Sequence, residues 1–196
     1  MLCIFLDQET TGLDSYKHKV IEIALKIVSF NTGDLIASYQ SIVRHDESVW
    51  AKKDPASIAV NGFSWDELQQ GKSEVDIRSD VIGLFQSVPI VRGKAVFICQ
   101  NPSFDRAFFS HFVDSYTQEK FQWPYHWLDL ASMYWACEVQ KTILHGEPLP
   151  EEVWLSKDKI AEAMSLPKEQ KPHRAMQGVD HLITCYEKVV GFISKL

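Results

Sequence analysis

The chain opens with an apolar run, Leu2-Cys3-Ile4-Phe5-Leu6, that leads into two carboxylates, Asp7 and Glu9, and then into Thr10-Thr11-Gly12-Leu13-Asp14. A short apolar run broken by a glycine turn reads as a buried β-strand. On a strand, residues i and i+2 face the same side, roughly 7 Å apart. Most Asp-x-Glu pairs are solvated surface charge. This one closes an apolar strand, where a solvated face is the poorer reading. Two such acids repel each other unless a divalent cation sits between them, a geometry suited to two-metal phosphodiester chemistry.

The full string D-Q-E-T-T-G-L-D is far more specific than the pair. It resembles the first motif of the DEDD 3′–5′ exonucleases, the group that includes the proofreading epsilon subunit of bacterial DNA polymerase III, ribonuclease T, oligoribonuclease and exonuclease X. The resemblance runs from Leu2 to the final helix. It implies a ribonuclease-H-like α/β fold, a mixed five-stranded sheet flanked by helices, with residues 1–196 as one exonuclease domain.

The 196 residues, 45% of them hydrophobic, allow a single domain with a full core. No apolar run reaches the roughly 20 residues of a membrane helix. The N-terminus has no basic segment and cleavage site of a signal peptide. Cys3, Cys99, Cys137 and Cys185 are scattered, with no CxxC, and read as free thiols of a reducing, cytoplasmic setting. The net charge of −6 counts against a purely electrostatic nucleic-acid binder. It does not count against a nuclease whose carboxylates become anion-friendly once metal is bound.

Periodicity predicts strands over 19–30 and 35–43, joined by the Asn31-Thr32-Gly33-Asp34 turn. With the first strand, these form an antiparallel trio. A short helix is expected from Pro55 to a stop at Gly62, and Ser64 with Glu67 forms a capping-box pattern. A helix over 75–87, a buried strand over 95–99 and a helix opened by Asn101 as N-cap and Pro102 follow. The run from Trp127 starts as a strand and continues as a helix, with Asp129 as a helix cap. Helices over 157–166 and 178–196 close the chain.

Asp105 falls in the first turn of the helix after the buried strand, where a carboxylate is favoured whether or not it has a further role. The string F-I-C-Q-N-P-S-F-D-R resembles the second exonuclease motif, in which an Asn precedes a metal-binding Asp by four residues, as Asn101 precedes Asp105 here. The family often has His before that Asn; Gln100 replaces it, which touches a substrate contact more than the metal. His173, in H-R-A-M, is similar to the third motif of the DEDDh branch. There the His is general base for the attacking water, a task imidazole suits at neutral pH.

The family pattern then places an Asp five residues after the His, where this chain has Gly178. Either a late, irregular helix start lets Asp180 serve as the fourth ligand, or that ligand is missing. Positions 178 and 180 lie about 200° apart on a regular helix, so a regular helix aims Asp180 away. Gly178 weakens a helix start, and this slightly favours the late start that uses Asp180.

The resemblance therefore implies a 3′–5′ exonuclease releasing nucleoside 5′-monophosphates, acting on the 3′ end of single-stranded nucleic acid, DNA ahead of RNA. It implies two divalent cations, Mg²⁺ or Mn²⁺, held by Asp7, Glu9, Asp105 and Asp180, with His173 as base and Thr10 and Asn101 contacting the terminal nucleotide. The chain ends near the last expected helix, which favours a stand-alone repair or processing enzyme over a replicative subunit while leaving association with a DNA polymerase open. A second reading is a degenerate domain that binds nucleic acid or a partner without cutting. Oligomeric state is not legible.

Overall fold

In the computed structural model, which describes residues 1–146, 148 and 151–195, the N-terminal apolar run lies at the centre of a five-stranded sheet. The strands are β1 (Leu2–Thr10), β2 (Val20–Ser29), β3 (Leu35–Ile42), β4 (Ala95–Cys99) and β5 (Trp127–Asp129), in the order β3-β2-β1-β4-β5. β1 pairs antiparallel with β2 and parallel with β4. β2–β3 is antiparallel and β4–β5 parallel. This is the mixed α/β sheet that the resemblance implied.

β1 and β2 read as near-continuous apolar runs because both faces of the sheet are covered. Ile4 and Leu6 pack with Val81 and Phe85 of α4 (Glu74–Ser87) and with Phe108 and Phe109 of α5 (Pro102–Phe112). Cys3 and Phe5 face the other way, onto Tyr134 of α7 (Leu130–His145) and onto Val179 and Leu182 of α9 (Ala175–Val189). Asp7 and Glu9 continue this second face by strand alternation.

The shorter helices are α1 (Glu47–Trp50), α2 (Pro55–Asn61), α3 (Trp65–Gln69), α6 (Ser115–Lys120) and α8 (Lys157–Ala163). Gly62 ends α2 at φ 68°, and the Ser64–Glu67 capping box opens α3, both as the residue types predicted. Asp129 caps α7 by accepting from the Ala131 and Ser132 amides. Three expectations need correction. Asn101 precedes α5, but it sits at φ 57° and its side chain caps nothing; it accepts instead from Ser103 Oγ. Helix α8 stops at Ala163, with Ser165 at φ 58°. The last helix starts at Ala175 rather than Gly178 and ends at Val189, with a 3₁₀ turn at Ile193–Lys195; Leu196 lies outside the described residues. Among the described residues, no helix is long and apolar enough to cross a membrane.

The topology also places the site. Pairing between β1 and β4 ends at Phe5 opposite Ile98. Asp7 and Glu9 therefore overhang the carboxyl end of β4, in the region outside parallel strand ends where α/β sheets form ligand crevices.

Candidate active site

A cavity of about 410 Å³ opens at this overhang, and Asp7, Glu9, Thr10, Asp105 and His173 all line it. β1 delivers Asp7 and Glu9. Asp105 arrives from the other side of the sheet: β4 ends at Cys99, Asn101 turns the chain sharply, and Pro102 opens α5, so Asp105 falls in its first turn, 3% exposed.

His173 is set by anchors at three successive residues. Its own amide donates to the Val60 carbonyl at 3.1 Å. The Arg174 guanidinium lies 3.8 Å over the Phe63 ring and pairs with Glu67 at 2.9 Å. The Ala175 amide donates to Glu22 Oε2 at 2.7 Å, while Gln40 Nε2 donates to Glu22 Oε1 at 2.7 Å. Glu22, directly opposite Glu9 in the β1–β2 register, thus ties β2 to the first turn of α9.

The cluster is short of positive charge. Desolvation first, then the neighbouring carboxylates of Asp7, Glu22 and Glu169, push the Glu9 carboxyl up to about 8. Desolvation also raises Asp7, to about 6; Lys157 pulls it down while Glu169 and Glu22 push it up. Asp105 is held well above the carboxylate range by burial and by Asp7. The cation facing them is Lys157, whose Nζ lies 2.8 Å from Glu169 Oε2, 3.8 Å from Asp7 Oδ1 and 3.3 Å from the Gly178 carbonyl. Burial favours its neutral amine, yet Asp7 and Glu169 overcome that and raise its pKa.

Of the residues the sequence singles out, Asp7, Glu9, Asp105 and His173 come together, and Thr10 joins them on the cavity wall. The Thr10 hydroxyl donates to the Gly12 carbonyl, and its own carbonyl accepts from Asn61 Nδ2. Asn101 is exposed and does not line the cavity; Gln100 does, donating from Nε2 to the Leu155 carbonyl.

Asp180 is not brought to the site. Because α9 is regular from Ala175, Asp180 points away, 54% exposed, and pairs with Lys26 of β2. Position 178 is the one that faces the acids: a Cβ on Gly178 would lie 2.1 Å from Asp7 Oδ2 and 3.0 Å from Glu169 Oε1. Glu169 and Lys157 are the site residues that sequence reasoning missed. Glu169 sits in Lys168-Glu169-Gln170-Lys171, a string that reads as solvated charge, and Lys157 carries no signal beyond an ordinary helix start. Asp158, Glu169 and His181 also bring one ligand atom each to within 4.8 Å of one another.

The donor set fits a divalent cation. Asp7, Glu9 and Asp105 offer hard carboxylate oxygens of the kind Mg²⁺ and Mn²⁺ prefer. Their raised pKa values come first from burial and then from neighbouring carboxylates, so their ionised forms are disfavoured there without a cation.

The sequence profile of the RNase T family, described as exonuclease, matches residues 4–186. No curated protein matches the chain in sequence. Among solved structures, Escherichia coli exonuclease I in complex with a dT13 oligonucleotide superposes with a TM-score of 0.75 at 18% identity, covering 96% of this chain and 40% of that one. A second exonuclease I structure gives 0.71 at 16% identity, over 99% and 42%. Cell-death related nuclease 4 gives 0.70 at 15% identity, over 96% and 63%. The chain thus spans well under half the length of exonuclease I. At these identities the likenesses establish the fold.

Proposed function

This chain belongs to the RNase T family of exonucleases, and from that premise we propose that it is a metal-dependent 3′–5′ exonuclease acting on single-stranded DNA in proofreading, repair or processing. The observation that carries the reading is the convergence of Asp7, Glu9, Asp105 and His173 on one cavity from three separate parts of the chain. The oligonucleotide complex of exonuclease I supports a single-stranded DNA substrate.

In this reading Asp7, Glu9 and Asp105 hold divalent cations, Mg²⁺ or Mn²⁺. Such ions lower the pKa of a bound water and neutralise charge on the leaving oxygen of an in-line displacement. The protein's own part is positional. The β1 overhang keeps two carboxylates side by side, and α5 brings a third from the opposite face of the sheet. His173, fixed through Val60, Arg174 and Ala175, takes the proton of the attacking water. Thr10, on the cavity wall, borders the terminal nucleotide. The product is a nucleoside 5′-monophosphate.

The test is incubation of the chain with 5′-labelled single-stranded DNA and with matching RNA, in Mn²⁺ and in EDTA. A metal-dependent ladder shortening from the 3′ end is expected, with DNA preferred and with Asp7→Ala inactive. Cleavage by Asp7→Ala at the wild-type rate would sink the assignment. A second reading, a domain that binds without cutting, has one observation in its favour: the Lys157 ammonium already lies among the acids. A folded wild-type chain that cleaves neither strand would favour it.

A further inference from the structure

Glu169 is an unusual residue for the connection between α8 and α9. The surrounding chain is rich in charge and Pro, yet its side chain is only 5% exposed. Its two oxygens have different surroundings. Oε2 forms the 2.8 Å pair with Lys157 Nζ and lies 4.0 Å from His181 Nδ1. Oε1 is buried and, among the described residues, has no hydrogen-bond partner. A carboxylate oxygen in that state is costly unless something is meant to meet it.

The place it reaches is the crowded spot over Gly178, where an added Cβ would meet it and Asp7 at once. Asp7 Oδ2 and Glu169 Oε1 lie 2.1 and 3.0 Å from the one point where a residue-178 Cβ would stand. The two oxygens thus converge over bare backbone. The approach is built, not incidental: the Glu169 amide donates to Asp158 Oδ1 at 3.0 Å, so the first turn of α8 holds Glu169 by its backbone through Asp158 and by its side chain through Lys157. The charge balance points the same way. Among the described residues, Asp7 and Glu169 both lean on the Lys157 ammonium, whereas Glu22 is satisfied by neutral donors.

We propose that Glu169 supplies the fourth carboxylate of the divalent-cation site, reaching across Gly178 from outside the last helix, and that position 178 is glycine to admit it. The inference rests on the reading that Asp7, Glu9 and Asp105 hold a cation. Oε2 stays on Lys157 and Oε1 turns to the metal. The acid expected on α9 is then relocated, not lost, and Asp180 is free to pair with Lys26.

Mn²⁺ binding to the full chain, followed by electron paramagnetic resonance and calorimetry without nucleic acid, tests this apart from activity. Glu169→Gln preserves shape and removes the charge. It is expected to lose one Mn²⁺ or to bind it about tenfold more weakly, or worse, with its circular dichroism unchanged. Gly178→Asp alone, which places a third carboxylate against Asp7 and Glu169, is expected to weaken binding, and the Glu169→Gln/Gly178→Asp double variant to recover it. His181→Asn is expected to keep the wild-type Mn²⁺ count. Wild-type binding by Glu169→Gln, stronger binding by Gly178→Asp alone, or loss of the same ion in His181→Asn would each overturn the proposal; the last would assign Glu169 to the Asp158–His181 cluster. A wild-type chain that binds Mn²⁺ through Glu169 yet cuts nothing would sink the exonuclease reading and leave this one standing.

Discussion

Without a cation, Asp7 and Glu9 crowd a strand end with Asp105, and the cavity keeps their protons on. Glu9 is pushed up to about 8 and Asp7 to about 6, desolvation being the larger cause for both. An unfolded chain releases these protons near the ordinary carboxylate range, about 4 to 4.5. Between that range and pH 8 the folded protein binds more protons than the unfolded one, so its stability must fall as pH rises. In EDTA the melting temperature should therefore decline from pH 5 to pH 8, and saturating Mn²⁺ should flatten the decline. A melting temperature that rises over this window in EDTA would contradict the assigned direction. Asp7→Asn should abolish cleavage, by about a thousandfold or more, while raising the EDTA melting temperature at pH 8, because it removes a charge the fold does not neutralise. At this scale Asp7, Glu9, Asp105 and His173 were legible because each sits in a short local string. Glu169 was not: its burial comes from α8 and α9 closing around it, and a Lys-Glu-Gln-Lys string carries no trace of that.

Among the elements, α9 shows what local reading misses. Gly178 argued for a late helix start on propensity, yet the helix begins at Ala175 because a distant residue holds its first turn. Glu22 Oε2 accepts the Ala175 amide, and a carboxylate at a helix N-terminus also suits the dipole. The sequence has Arg174 at the capping position, with no side-chain cap, so nothing nearby announces the start. The four-residue α1 and six-residue α6 went unseen for a different reason: each is too short to display a helical period. The cap itself can be tested. Glu22→Ala leaves a buried amide without an acceptor and should cost about 1–3 kcal/mol. It should also lower cleavage by loosening His173. Glu22→Gln keeps an acceptor and relieves repulsion on Glu9, so it should cost little. Urea unfolding of both variants decides: equal losses would mean that the charge, not the cap, is what matters.

For the molecule as a whole, the charge distribution sets how a nucleic acid can bind. The chain carries 26 acidic and 20 basic residues, and the cavity at the β1 overhang gathers acids around Lys157. Composition already argued against a basic, phosphate-tracking groove. What composition could not show is that β1 runs parallel to β4 and overhangs its end, which gathers the carboxyl groups at the mouth of one cavity. A polyanion approaching the metal-free site meets carboxyl groups, some protonated and some charged, around a lysine already paired with Glu169. The same carboxylates loaded with divalent ions present an anion-binding surface. Substrate affinity should therefore depend on the cation even when no bond is cut. Single-stranded DNA should bind at least about tenfold more tightly in Ca²⁺ than in EDTA, since oxygen-rich sites take Ca²⁺ readily. Because Lys157 and His173 are the basic side chains on the cavity wall, affinity in Ca²⁺ should fall only shallowly with added monovalent salt. Each phosphate neutralised by Lys or Arg contributes about 0.7 to the logarithmic slope for single strands, so a slope of about 2 or less is expected. Fluorescence anisotropy at several salt concentrations measures both. Equal affinity in Ca²⁺ and EDTA, with a steep salt slope, would mean that a basic surface elsewhere holds the strand. The acid cluster would then act only after binding.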